Sequence, residues 1–419
     1  FGDAEDQNVI KCGSYVGNGS STGPEINLGF EPQWILIKNT AGANWAMFDS
    51  MRGITTGGND GLLYPSGTWE EDQLDFIDLT STGFKVTNSD ATINGNGNTI
   101  IYMCIRRPDG YVGKPPELGT GVFAMDVANG STPSFISNFP VDWALLRMPA
   151  TANNWSSSAR LSPADLQPDN ANSEDTSINV VFKKDHNNGW AVNRTSPRLS
   201  WMWKRHAGFD VVAYKGGGAS SAPRSIPHSL SKPPEMIWTK NRDSSVNWVV
   251  WHKDLNGGGN NAVSYYLNLN LNNGQTSNGD IYGGANGVLP TSTHYTTGGN
   301  NQINESGSDF LAMLFSSVSG ISSVGSYSGQ NSNKTITLGF QPRFFIAKSL
   351  SGGAGNDWAL YDSERGISGS STQRIYLNSS SAQSSGFFIN SVSSTGITLR
   401  GNISDTNQSG VDYVYYAHA

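Results

Sequence analysis

Apolar and aromatic residues along this chain fall in runs of a few positions, cut by clusters of Gly, Asn, Ser and Thr. In the first hundred or so residues the runs cover 11–16, 24–28, 34–38, 45–49, 61–64, 84–87 and 99–105. They are rich in β-branched and aromatic side chains, which suit a pleated, half-buried surface, and the polar clusters between them are turn signals. No helical stripe of about ten or more residues stands out. The best helical candidate, Ser162 to Leu166 with Pro163 at a first-turn position, would make a single turn.

The pattern is written four times. Gly29-Phe-Glu-Pro-Gln-Trp-Ile-Leu-Ile-Lys38, Asn44-Trp45 and Phe48-Asp-Ser-Met-Arg-Gly53 return near the end as Gly339-Phe-Gln-Pro-Arg-Phe-Phe-Ile-Ala-Lys348, Asp357-Trp358 and Tyr361-Asp-Ser-Glu-Arg-Gly366. Weaker copies run from Phe139 to Arg147 with Asn154-Trp155, and from Pro234 to Lys240 with Asn247-Trp248. Two landmarks keep step: the cations Lys38, Arg147, Lys240 and Lys348, and the tryptophans Trp45, Trp155, Trp248 and Trp358. Each copy also ends alike, in Thr99 to Arg106, Leu199 to His206, Asp309 to Phe315 and Asp412 to His418, which read as closing strands.

A period of about a hundred residues is too long for a solenoid unit and fits a small domain with its own core. The expected architecture is all-β, a tandem array of four small β-sandwich (jelly-roll-like) domains at 1–107, 108–207, 208–318 and 319–419. Strand order within a sandwich stays open. The repeated strand aromatics (Trp34, Trp143, Trp238) and the later tryptophans are expected in the sandwich cores, with the cation marking where the strand leaves. A sharper alternative pairs that cation with Asp49 or Asp362. The triplet holding Asp49, Ser50 and Arg52 returns only as Asp362, Ser363 and Arg365, however, and that drift favours structure over a shared site. Because the chain stops just after the fourth closing strand, the C-terminus is expected to be natural. Phe1 is not a start methionine, so residues are expected upstream.

Charged residues supply only 15% of the chain, against about 25% in an ordinary soluble domain, and there are 49 glycines. The surface is solvated by Ser, Thr and Asn, which suits an extracellular β protein. A net charge of −7 gives no electrostatic footprint for nucleic acid, and no apolar run is long enough to insert in a membrane. The basic cluster Lys183, Lys184, Arg194, Arg198, Lys204 and Arg205 is expected to be solvated, as is the acidic one at Glu70, Glu71, Asp72, Asp75 and Asp78. Cys12 and Cys104 fall in strands that could be neighbours. Buried free thiols are the default there, with a disulfide as the alternative.

Candidate chemistry is sparse. No two of the histidines 186, 206, 228, 252, 294 and 418 stand at metal-ligand spacing, and there is no nucleophile elbow or phosphate-binding loop. No catalytic, cofactor-binding or metal residues are nominated, no cofactor is expected, and an enzyme is not expected. Gly216–Gly218 and Gly257–Gly259 read as loop tips. Trp69, Tyr111 and Tyr282 are candidate sugar-stacking aromatics, with packing in their own domain as the commoner role.

The segments Gly13 to Ser20, Ile26 to Trp34 and Phe48 to Gly53 resemble an uncharacterised domain found in tandem in virion and tail proteins of marine bacteriophages, particularly those infecting cyanobacteria. The likeness is strongest in the first and fourth copies and faint in the second. It implies a virion protein, most simply a tail fibre or related appendage that helps attach the particle to its host. A homo-oligomer, with a trimer favoured, other virion proteins and a host cell-surface glycan are the implied partners. No catalytic residues come with the resemblance. The competing expectation is a capsid-decorating or secreted carbohydrate-binding adhesin built from lectin-like sandwiches.

Overall fold

The computed structural model describes residues 9–113, 115–162, 164–177, 182–193, 197–283, 287–353 and 356–419. Four times the chain builds an antiparallel sheet in the order opening strand, closing strand, cation strand, tryptophan strand, which two further strands extend in the third unit (Tyr265–Asn268, Thr276–Ser277) and the fourth (Thr372–Tyr376, Ser384–Gly386). In the first unit these are Ile10–Val16, Thr99–Arg106, Pro32–Asn39 and Trp45–Asp49; in the second, Phe123–Val127, Leu199–Trp203, Trp143–Arg147 and Ser156–Ala159. The third uses Phe209–Lys215, Asp309–Phe315, Met236–Asn241 and Val249–His252, and the fourth Ser322–Ser328, Asp412–His418, Phe344–Ser349 and Ala359–Asp362. The closing strand pairs on both edges, so it sits centrally. That position explains runs such as Asp309–Phe315, in which every residue after the first is buried.

A smaller sheet covers one face of each large one. In the first unit it is Glu25–Asn27, Gly83–Val86 and Ile77–Thr80, and in the fourth Lys334–Thr337, Gly396–Leu399 and Ile389–Ser393. Alternate residues of the large sheet point into this sandwich. In the second unit Ala144, Leu146 and Met202 meet Phe135, Phe182 and Trp190. In the fourth, Phe345, Ala347 and Tyr415 meet Ile336, Ile389 and Ile397. The chain is all-β and built of sandwiches, as its short alternating runs predict.

The other face of the large sheets departs from expectation. Trp143 and Leu145 alternate with Ala144 and Leu146, so they lie on the outside of their sandwich. Phe344 and Ile346 do the same in the fourth unit. In units two to four the repeated strand aromatics are buried between units, whereas Trp34 of the first unit is only half-buried. The units therefore have a shared core as well as their own.

Smaller differences have local causes. Short strands at Asp72–Leu74 and Ile77–Thr80 carry too few apolar residues to be read from the pattern. Ser162 to Leu166 is not a helical turn: Asp165 and Leu166 make β-bridges to Asp175 and Ser157, and Pro163 lies outside the described residues. Gly216–Gly218 is not a free loop tip. A Cβ on Gly216 would lie 2.0 Å from the Glu305 carbonyl oxygen, and Asn304 accepts from Gly217 N–H and donates to the Gly218 carbonyl.

Candidate functional site: the outer face of the repeated sheet

Strand register aligns the four outer faces residue by residue. Trp34, Trp143, Met236 and Phe344 are equivalent because each pairs with the last residue of its tryptophan strand: Asp49, Ala159, His252 and Asp362. Two residues on come Leu36, Leu145, Trp238 and Ile346, and two further the cations Lys38, Arg147, Lys240 and Lys348. Trp238 is thus the neighbour, not the counterpart, of Trp34. The closing strands add Ile105, Trp203, Phe315 and His418, then Met103, Trp201, Met313 and Tyr416.

In units two, three and four these faces turn toward one another. Trp143 and Trp238 meet edge to face at 5.9 Å between ring centroids, Trp203 meets Phe344 at 5.6 Å, and Phe315 meets Tyr416 at 4.8 Å. Around this aromatic centre runs a cyclic set of hydrogen bonds. The Trp155 indole Nε1–H of unit two donates to the Tyr376 carbonyl of unit four at 2.9 Å. Trp358 of unit four donates to the Asn268 carbonyl of unit three at 2.9 Å. Trp248 of unit three donates to the Gln167 carbonyl of unit two at 3.0 Å, closing the ring. The three acceptors are equivalent, each following the residue that bridges the tryptophan strand (Ile375, Leu267 and Leu166).

The cations cross the same junctions. Arg147 donates to the Ser379 and Ser381 carbonyls of unit four and lies 5.1 Å from the centroid of the Trp155 ring. Lys240 reaches the Ala171 carbonyl of unit two, and Lys348 the Asn272 carbonyl of unit three. Burial lowers the Lys240 and Lys348 amines to about 8, and backbone carbonyls supply their hydrogen bonds. The alternative of a cation–aspartate pair does not occur: Asp49 is held by Arg52 at 2.6 Å and Asp362 by Arg365 at 2.7 Å. Asp362 also accepts from the Trp201 indole of unit two at 3.0 Å.

The matching family model is described as a domain of unknown function, DUF7483, and it covers residues 4–107 and 138–419. The chain belongs to this family. A comparison with curated proteins found no match. The segment of this DUF7483 chain left between the two matched stretches, 108–137, includes the opening strand of unit two, the faintest of the four copies.

Where units one, two and three of this DUF7483 protein meet, charge is buried. Arg205 Nη1 donates to both carboxylate oxygens of Glu31 at 2.7 and 2.8 Å, and Arg107 lies 3.1 Å from Glu31 and 2.8 Å from Asp210. Arg160, 3.4 Å from Asp142, donates to the Ser50 carbonyl of unit one. Burial alone would raise the Asp142 carboxyl, but Arg205 and Arg160 outweigh it and hold it below the usual carboxylate range. The sequence scatters these residues from Glu31 to Asp210, and no motif links them. Glu31→Ala would leave Arg107 and Arg205 buried without their shared carboxylate. It is expected to lower the unfolding free energy by about 3–5 kcal/mol, read from the urea midpoint, whereas Lys334→Ala on the surface should move it by less than about 0.5 kcal/mol.

The remaining sequence candidates disperse. Lys184 is buried, with its ammonium 5.0 Å from the Trp190 ring centroid and donating to Ser158, so the basic cluster is solvated only in part, at the exposed Lys183 and the part-exposed Lys204. Arg198 and Arg205 are buried too, and Arg194 lies outside the described residues. In the acidic cluster Asp72 accepts from the Tyr64 hydroxyl at 2.6 Å, Glu71 from Arg52 and Asp78 from Gly57 N–H. Among the described residues no group of three His, Cys, Asp or Glu side chains is placed to hold a metal ion. Tyr282 is buried, its hydroxyl 2.6 Å from that of Thr239, whereas Trp69 is 65% exposed. Cys12 and Cys104 are both free and point to opposite faces of one sheet, Cys104 buried inside the sandwich and Cys12 exposed outside it. The default of buried thiols therefore holds for Cys104 only.

Proposed function

We propose that this protein is a non-enzymatic structural part of a bacteriophage particle, a tail fibre or tail appendage that contributes to host attachment. One observation carries the reading: the residues that recur in the copies, the strand aromatic, the cation and the tryptophan, join one unit to the next in units two to four. Repetition that maintains packing suits a building block. The resemblance of Gly13 to Ser20, Ile26 to Trp34 and Phe48 to Gly53 to tandem virion domains supports the particle, and a surface of Ser, Thr and Asn supports an extracellular site. In this reading a host glycan would be met by variable loops, such as the one presenting Trp69, and other virion proteins by the remaining surface.

The test is immunogold labelling of purified particles from the source with antibody to this chain. Label at the tail or its appendages is the expected outcome. Particles free of label, together with a secreted protein that binds a defined glycan, would replace this reading with the adhesin.

A further inference from the structure

The first unit has the same outer face as the other three, and nothing in the described chain covers it. In units two to four that face is closed: Trp143, Trp203, Trp238, Phe315, Phe344 and Tyr416 are each at most 1% exposed. In unit one Ile10 is 47% exposed, Ile101 41% and Met103 36%, and Trp34, Leu36, Trp45 and Met47 are only half-buried. We propose that this face is an interface at which three copies of the chain close, through their first units, the same ring that units two to four close within one chain.

Three observations fix the occupant. The first is the strand itself. Trp34-Ile35-Leu36-Ile37 is apolar on both faces, as in the cation strands of the other copies, whereas a strand with one wet face alternates apolar with polar. The second is a half-made junction. Lys38 donates to the carbonyls of Asn39, Gly42 and Ala43 in its own unit, as Lys240 does to Asn241, Ser244 and Val246. Lys240 also has its acceptor in the next unit, and Lys38 has none among the described residues. The Trp45 indole N–H, equivalent to the three that close the ring, likewise has no partner among the described residues. Its complementary acceptor is present on the same unit: the bridge from Met47 to Leu63 places the Tyr64 carbonyl where Tyr376, Asn268 and Gln167 offer theirs. Donor and acceptor on one surface make the face self-complementary around a rotation axis, so a closed set of like faces satisfies both.

The third observation is number. The other three faces in the chain are taken by one another, so the partner with the right face is unit one of another copy. The internal ring closes with three. The sole charges on the aligned positions are Lys38 and Asp49, and Asp49 is held by Arg52, which suits an apolar protein surface better than a sugar.

Light scattering from the full chain gives the mass, expected at three times that of one chain. Met103→Arg, at a position already part-exposed, is expected to give a monomer that keeps the wild-type circular dichroism spectrum and melts at a temperature independent of protein concentration, and Met103→Leu to remain a trimer. Cys12 supplies a second readout because it lies on the face, at the position of Val211 and Val324, which are buried. Its alkylation should be slow in the wild type and fast in Met103→Arg, while Cys104 stays inert in both. A wild-type monomer or dimer would overturn the proposal. So would a trimer that survives both Met103→Arg and Ile101→Arg, or a monomer in which Cys12 is already shielded. The particle reading is decided separately, since a monomer could still label virions and a trimer need not.

Discussion

Trp143→Ala is expected to lower the unfolding free energy of the chain by about 3–5 kcal/mol, the range for truncating a large aromatic in a packed core. The side chain is fully buried, with Trp203 at 4.5 Å, Phe209 at 5.7 Å, Trp238 at 5.9 Å and Phe315 at 6.2 Å between ring centroids. Three of those four rings belong to unit three. Its indole N–H also donates to the Ser157 hydroxyl at 2.9 Å, so truncation leaves a buried hydroxyl short of a partner. The loss should appear in units two and three together, because the ring is their common core. Trp69→Ala, which removes an indole of similar size from the surface, should cost less than about 0.5 kcal/mol. Urea denaturation followed by circular dichroism separates the two. Equal effects would mean that the outer face is not a core.

Mild acid should weaken the ring as well. His206, His252 and His418 are buried in units two, three and four, and burial lowers each imidazole to about 3. Lys232 and Lys204 push His206 the same way while Asp142 and Asp210 oppose, Lys253 adds to the shift at His252, and His206 and Arg343 add to it at His418. The folded chain therefore binds fewer protons than the unfolded chain between about pH 6.5 and about 3. Each histidine contributes stability that is complete at neutral pH and is lost, at up to about 1.4 kcal/mol per pH unit, as pH falls through that window. Asp60 and Asp169, raised by burial to about 8 and about 6, titrate with the opposite sign. The clean readout is thus a difference in slope. Between pH 6.5 and 4.5 a His252→Asn variant should lose stability less steeply than the wild type, whatever its stability at pH 7. Parallel slopes would contradict the burial of a neutral imidazole.

Much of this architecture could be read in the sequence, because a repeated core and a repeated spacing leave the same marks each time. The closing strands Thr99–Arg106, Asp309–Phe315 and Asp412–His418 fall where their apolar runs placed them. The aromatics lie on the face opposite to the expected one, and the sequence carries a signal of it. Trp34 to Ile37, Trp143 to Leu146 and Phe344 to Ala347 are apolar without alternation, and such a run needs cover on both sides of its sheet. The constant four-residue step to the cation would likewise have placed Met236, not Trp238, opposite Trp34. Other features left no local mark. Glu31, Arg107, Asp142, Arg160, Arg205 and Asp210 come together only when three units pack, and a buried charge looks like a surface charge until its partners are known.

The central claim is that one sheet face was copied four times, closed within the chain in units two to four and left open in unit one. Hydrogen exchange of the tryptophan indole N–H groups, followed by NMR on the chain carrying Met103→Arg, tests it most directly. Trp155, Trp248 and Trp358 should exchange only as slowly as the ring opens, and Trp45 at close to the rate of a free indole. Fast exchange at the three ring tryptophans, or protection of Trp45 equal to theirs, would contradict the account.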